Sequence, residues 1–589
     1  MTLRRAPIAV ALVVTALLTG HVATAQEAKV PVTEVTLDNG MTLLLVERRD
    51  APRVAGGWAA HVGSVNEDVG TTGIAHLFEH MMFKGTRTIG TSDYEAEMAI
   101  MTQLDEIRTA MEAEYSVLRE AKRRGEIEGS IYLPENQTPH LAELRGKMKE
   151  LQEAQRAYIV NNEYDKIYTE QGASGLNAGT NSDATVYFID VPSNKLELWF
   201  WMESDRLANA VFREFYSERD VVREERRMRV ESDPTAKFEE QFDSMFWGSI
   251  PYHHPTIGWP SDVESINRAQ ARAFFDTYYA PNNITAALVG DFDTDEAVTL
   301  AKRYFGRIPR GANPPPEVIT EEIEQLQERR MVAEADTNPS VQIRWHAVPF
   351  VHQDSYALDV MTDILSGRTG RLYKALVERT PIATGEPYAY LSAQRFAGSI
   401  EVGAELAEGV SHEQAEAALL AEIDRLKKEP VGDRELAKVK NQSLANSFRR
   451  LQSNFFLLLQ LLFYDVLDDW EYLNTSPAKV QAVTAEDVMR VANTYFPDTG
   501  KNVLWYERKA GSEQDPELEA LSGQAKAMAK QAIAQINQST DPAELQELLN
   551  QIQTMKGQAP EELQAALDLI AARAGERLAS LAAETGEEN

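Results

Sequence analysis

Cysteine is absent from all 589 residues, which excludes disulfides, cysteine-linked lipid anchoring and thiolate ligands, so a bound metal must rely on nitrogen and oxygen. Histidine is scarce, at 10. Long apolar runs are also missing; the run from Ile8 to Leu18 is too short to span a bilayer as a helix. With Arg4, Arg5 and Ala23-Thr24-Ala25 before Gln26, residues 1–25 read as a cleavable secretory signal, with an uncleaved N-terminal anchor as the alternative. Positive charge is in deficit, 59 Lys and Arg against 91 Asp and Glu. Loss of two positive charges and no acids with the signal takes the net charge from −32 to −34. Such a surface does not attract nucleic acid, and no stable membrane insertion after signal cleavage is expected. A bacterial-type periplasm is the simplest home.

Against this background His76-Leu77-Phe78-Glu79-His80 stands out. The run from Gly73 to Lys84 has no internal proline, and helical geometry sets His76 and His80 one turn apart, within reach of one small ion. Glu79 then lies beside the metal, able to take a proton from water without being a ligand. The order H-x-x-E-H is that of the inverted zinc peptidases. Two histidines leave a catalytic zinc one protein ligand short. Glu218-Arg219-Asp220-Val221-Val222-Arg223-Glu224-Glu225 offers carboxylates seven apart on one helical face; taken alone, it equally suits a solvated charged helix.

Together these two segments resemble the pitrilysin/insulinase family, which includes the mitochondrial processing peptidases; the bacterial processing-peptidase-like branch fits best. The resemblance implies Glu225 as third ligand and Glu218 as supporting carboxylate, with Glu224 competing because a glutamate pair leaves the register open by one. It extends through Val35 to Met41, Met82 to Thr86, Leu176 to Thr180 with Thr185 to Phe188, and Tyr279 to Phe292, covering roughly residues 30 to 510. In that family Asn177, Ala178, Gly179 and Thr180 would pair with substrate as an added strand.

The chain is long enough for more than one domain, and an internal repeat divides it. A helix, Tyr278-Tyr279-Ala280-Pro281 and a strand from Ile284 to Val289 are echoed by a helix, Tyr495-Phe496-Pro497 and Val503-Leu504-Trp505. Strand candidates Val341 to Val348 and Ser399 to Glu405 alternate with helices Ser355 to Leu365 and His412 to Lys428. The expected fold is α+β: two homologous domains, each a mostly antiparallel sheet with helices packed on one face, plus a helical-hairpin insertion and a helical C-terminal tail. The expected boundaries are a signal at 1–25, a zinc-bearing domain at 26–310 with the insertion at about 102–171, and a linker at 311–330. A second domain without the motif spans 331–510 and the tail 511–589.

Three departures from the family stand out. His80 and Glu225 are 145 residues apart, about twice the family's usual separation. Leu104, Ile107, Met111 and Leu118, then Leu141, Leu144, Met148 and Leu151, make the excess a helical hairpin, either a structural spur or a docking or gating element over the cleft. The tail reads as three short helices, with Asp515-Pro516, Asp541-Pro542 and Pro560-Glu561 as starts. The third departure concerns an arginine and a tyrosine, seven apart, that the family's complete enzymes use to hold substrate. Here Val377 and Thr384 occupy that place, and Arg379 with Tyr388 or Tyr390 is the only in-chain substitute.

These readings converge on a zinc-dependent endopeptidase, with one zinc per chain on His76, His80 and Glu225, Glu79 as catalytic base, and extended or unfolded peptides as substrates. The missing pair implies the zinc-bearing half of a two-chain enzyme, with a homologous partner supplying the Arg/Tyr pair. The rivals are a non-catalytic assembly or binding subunit of the same fold and a zinc hydrolase of a non-peptide amide, against which the long strand candidate from Asn177 to Phe188 favours peptide. Manganese or cobalt would also suit mixed His and Glu ligands.

Overall fold

The computed structural model describes residues 29–509, 516–521, 523–539, 541–556 and 559–586; the signal-like residues 1–25 lie outside them. Strand β3 (Arg53–Ala60) is buried from Val54 to Ala60, because the six-stranded sheet around it is covered on both faces. Its neighbours are β1 (Thr33–Thr36), β2 (Thr42–Glu47), β4 (Ser174–Thr180), β5 (Thr185–Pro192) and β6 (Ile284–Gly290). The order is β1-β2-β6-β3-β5-β4, antiparallel except for the parallel β2/β6 pair. Alternate side chains take opposite faces. Leu43, Leu45, Val54, Trp58, Ala286 and Leu288 join the main core, whereas Leu44, Val46, Ala55, Ala59, Ala287 and Val289 meet Leu457, Leu458, Leu461 and Leu462 on the reverse side.

The main core is built against α1 (Ile74–Met81), α2 (Tyr94–Arg123), α3 (Pro139–Arg156), α4 (Glu163–Glu170), α5 (Leu196–Asn209) and α6 (Phe215–Arg226). The insertion is a hairpin, as its periodicity predicts. Gln155 meets Glu97, Arg145 meets Tyr115 and Thr138 meets Glu114, a descending register that makes α2 and α3 antiparallel. Leu104, Met111, Leu118, Leu141, Leu144 and Met148 are buried between them and the body.

A second, five-stranded sheet runs β7-β11-β8-β10-β9, from β7 (Arg329–Ala335), β8 (Ser340–Ala347), β9 (Ala383–Ala393), β10 (Gly398–Leu406) and β11 (Asn502–Arg508). One face packs on helices Ser355–Leu365, His412–Lys428 and Ala485–Tyr495 through Val341, Ile343, Ile400 and Val402. Residues 309–328 between the sheets form no helix or strand.

Helices on one face account for only part of the burial, because the reverse faces are covered by exchange. Helix Asn454–Leu467, from the second half of the chain, lies under the first sheet. Helix α7 (Ala236–Phe246), from the first half, lies on the second sheet, where Phe242 packs with Ala333, Ala335 and Leu504 and Asp243 pairs with Arg344.

One sequence reading needs correction. Asn177 to Phe188 is not one long strand but a hairpin of β4 and β5. The Asn181 side chain accepts from Asp183 N–H and Ala184 N–H, both at 2.8 Å, and this Asx turn breaks the strand.

The tail forms a separate compact unit, residues 508–589. Its helices are Pro516–Glu519, Gly523–Gln538, Pro542–Lys556 and Glu561–Gly586, packed around Ile536, Leu545, Ile552, Leu567 and Ile570. Pro516 and Pro542 open helices and Pro560 precedes one, as expected. Four helices stand among the described residues rather than three, and they are not all short: the last spans 26 residues, because its Ala, Leu and Glu favour helix and no proline interrupts it. Among the described residues no helix is long and apolar enough to cross a membrane.

Candidate metal centre and cleft

Helix α1 carries the H-x-x-E-H motif, and its start is held by groups that the sequence did not single out. Gly73 precedes it at φ +89°, where a Cβ would lie 2.7 Å from the Ile257 carbonyl oxygen and 2.9 Å from Gly258 Cα. The buried Glu67 carboxyl group accepts from Gly73 N–H and Ala75 N–H, both at 2.8 Å, which satisfies two of the free amides at the helix end. Asp262 takes Gly70 N–H and the Thr72 hydroxyl in the preceding turn.

The helix directs both histidines at α6. His80 Nε2 is 3.4 Å and His76 Nε2 is 3.7 Å from Glu225 Oε2, and the ligand atoms of these three residues lie within 4.8 Å of one another. Glu225 Oε2 is buried and makes no hydrogen bond. Two imidazole nitrogens and an unpartnered carboxylate oxygen fit a zinc ion with three protein ligands. His80 Nδ1 lies 3.0 Å from Glu218 Oε1, the outer bond that fixes a ligating imidazole; His76 Nδ1 has no such partner.

The two adjacent glutamates differ in geometry. Glu225 faces the histidines with its side chain 15% exposed, while Glu224, 51% exposed at the cavity rim, binds Arg227 at 2.6 Å. Lys84 bridges to Glu218 at 2.6 Å. Arg229 binds Glu225 Oε1 at 2.9 Å, turning the other oxygen toward the histidines. The i,i+4 spacing of Glu225 and Arg229 carried that signal in the sequence; nothing local announced Glu67.

Burial pushes the His76 pKa down to about 3, helped by nearby His80 and Arg229, so its lone pair is available. Burial also disfavours charged His80, but the bond to Glu218 and the surrounding carboxylates outweigh it and raise the pKa. Burial raises Glu79 against the opposing bond from Thr180. Burial opposes charge on Glu218 too, yet His80 and Lys84 hold its pKa below the ordinary value.

Glu79 stands beside the donor set without joining it, and the Thr180 hydroxyl donates to its Oε2 at 2.7 Å. Thr180 ends β4, the edge strand of the first sheet. Asn177, Ala178, Gly179 and Thr180 line the same cavity, of about 1140 Å³, as His76, Glu79 and His80. No residue beyond Ile257 lines it among the described residues. None of the in-chain substitutes for the Arg/Tyr pair lines the cavity: Arg379 binds Glu422, the Tyr388 hydroxyl donates to Glu401, and Tyr390 stacks on Tyr388. Val377 packs against the second core, and Thr384 lies in β9 opposite Glu405.

The chain is similar to known proteins in sequence and in fold. Residues 43–112 match the family described as Insulinase (Peptidase family M16), and residues 265–443 match Peptidase M16 inactive domain. The chain is 26% identical over 491 residues to Zinc protease PqqE of Helicobacter pylori, covering 80% of this chain and 91% of that one. Probable zinc protease PqqL of Escherichia coli matches at 23% over 46% of this chain and 23% of its own length. Among solved structures, a protease from Helicobacter pylori aligns with a TM-score of 0.66 and 23% identity, over 81% of this chain and all of that one. The periplasmic protease PqqL from Escherichia coli aligns with a TM-score of 0.59 and 16% identity, over 85% of this chain and 49% of that one. With the motif on α1, its carboxylates on α6 and both family segments in sequence, this chain belongs to the M16 family of insulinase/pitrilysin-like zinc proteases.

Proposed function

We propose that this chain is a zinc-dependent endopeptidase of extended or unfolded peptides, exported to the periplasm, and the zinc-bearing subunit of a two-chain enzyme. The observation that carries the reading is the convergence of His76, His80 and Glu225 beside Glu79, in a cleft bordered by the free edge of β4. When bound to that set, zinc supplies Lewis acidity toward water and toward the scissile carbonyl.

The remaining steps belong to the chain's own groups. An extended peptide adds to β4 through main-chain hydrogen bonds, which demand an unfolded segment and little particular sequence. Thr180 holds Glu79 Oε2, leaving Oε1 to take a proton from the attacking water and deliver it to the leaving amine. Lys84 and Glu218 keep His80 oriented. The cleft receives no side chain from the second half among the described residues, and this supports a homologous partner that contributes an Arg/Tyr pair.

Glu79→Gln tests the chemistry: hydrolysis of a quenched peptide library should disappear while zinc content stays near one per chain. A variant cleaving at the wild-type rate would remove Glu79 as base. Normal zinc content with no peptide cleavage by the unaltered chain, alone or with homologous partners, would favour the non-catalytic subunit.

A further inference from the structure

Residues 159–164 close the helical insertion and line the same cavity as the metal-ligand candidates. The segment is fixed in place. Ile159 bridges to Thr91, Val160 N–H donates to the Gly90 carbonyl at 3.1 Å, and Glu163 accepts from Gly90 N–H. At its end and one turn on, the hydroxyls of Tyr164 and Tyr168 donate to buried Glu203 at 3.1 and 2.6 Å. Asn162 (φ +55°) and Glu214 (φ +54°) are the two non-glycine residues with left-handed backbone among the described residues. Both line this cavity. Such backbone is unfavourable for L-residues and persists where the surroundings impose it, most often at ligand sites.

The cavity is lined largely by charged and polar side chains, but part of its wall is apolar. Val160, Val221 and Met228 are 38%, 50% and 59% exposed, yet all three line the cavity. Val221 lies three residues after Glu218 and four before Glu225, so it shares the face of α6 that carries the carboxylates, and Met228 follows in the π-helical turn Arg227–Glu231 that continues α6. Large apolar side chains left open to solvent inside a concave site, beside convergent polar groups, mark ligand contact.

We propose that Val160, Val221 and Met228 form a subsite for an apolar side chain of the peptide, and that the insertion determines specificity by supplying the Val160 wall. The favoured substrates are extended peptides with a residue of leucine or phenylalanine size near the scissile bond. This rests on the peptidase reading of the site.

The test uses the full zinc-loaded chain carrying Glu79→Gln, and measures binding of two fluorescein-labelled peptides, one leucine-rich and one serine-rich. In parallel, cleavage sites in a peptide library are mapped by mass spectrometry for the chain with Glu79 intact. An apolar subsite of this size should favour the leucine peptide at least about tenfold, the lower end of discrimination by an apolar pocket. Val160→Asp and Met228→Gln should each collapse that ratio toward one at unchanged zinc content, and should erase one apolar position from the cleavage pattern. Val160 is open enough to solvent to tolerate the change. A ratio untouched by both variants would overturn the subsite and leave the peptidase reading standing. Failure of any peptide to bind or be cleaved would overturn both.

Discussion

Exchanging Glu225, Glu218 and Glu224 for glutamine, one at a time, separates three kinds of carboxylate within eight residues. Each variant keeps the size of the side chain and removes its charge. Glu225 Oε2 lies 3.4 and 3.7 Å from the two histidine nitrogens and makes no hydrogen bond, so its loss removes one donor of the set. Four-ligand structural sites bind zinc with about 10–16 kcal/mol, or roughly 3–4 kcal/mol per ligand. At about 1.4 kcal/mol per decade, Glu225→Gln should weaken zinc about 10²–10³-fold. Glu218 acts through His80 Nδ1, an outer contact worth roughly 10–100-fold. Glu224 pairs with the exposed Arg227 and should change little. The assay is competition between the metal-stripped full chain and a fluorescent zinc chelator at neutral pH, with metal content by atomic emission. A Glu224→Gln loss equal to that of Glu225→Gln would move the ligand by one residue. Negligible effects from all three would remove α6 from the site.

Three further outcomes are expected. Thr180→Val should lower kcat about 10–100-fold at unchanged zinc content, from loss of a hydrogen bond to a carboxylate worth about 1.5–3 kcal/mol, and Thr180→Ser should restore it; equal rates for all three would detach Thr180 from the base. Mixing the zinc-loaded chain with a homologous partner bearing the Arg/Tyr pair should raise peptide cleavage about 10²–10³-fold over the sum of the separate rates, the scale of one oxyanion donor; a fully active monomer or homodimer would refute this. His346 stacks on Phe246 at 4.1 Å, has both ring nitrogens unpartnered, and is lowered by burial to about 4. The unfolded imidazole, at ~6.5, therefore binds more protons than the folded one. Its contribution is complete above that value and declines as pH falls toward about 4, by at most about 3–4 kcal/mol. His346→Phe should flatten urea-melt stability across that window.

Much of the fold was legible because the periodicities were clean. Helices Ser355–Leu365 and His412–Lys428 fall where the apolar spacing put them, the second opened by Ser411 with Gln414 as a capping box. The motif helix followed from five residues, whereas the choice between Glu224 and Glu225 did not: adjacent residues on a helix differ by about 100° in direction, and only packing says which direction is inward. The hairpin within Asn177 to Phe188 was hidden because both strands suit a sheet and the turn depends on one asparagine side chain. The exchange of helices between the sheets was beyond reach for another reason. Leu457, Leu458, Leu461 and Leu462 announce burial but carry no address, since either sheet would have satisfied them.

That exchange makes chain continuity between the halves dispensable once folding is complete. A protease nicking the irregular segment at 309–328 would leave two pieces still clasped, because each holds a helix that is the floor of the other's sheet. Released alone, the first piece would present Leu44, Val46, Ala55, Ala59, Ala287 and Val289 as a bare apolar sheet face, an invitation to aggregate. The nicked protein should therefore migrate as one species until denaturant is added. Fragments spanning 26–310 and 331–510 should become soluble only when made together.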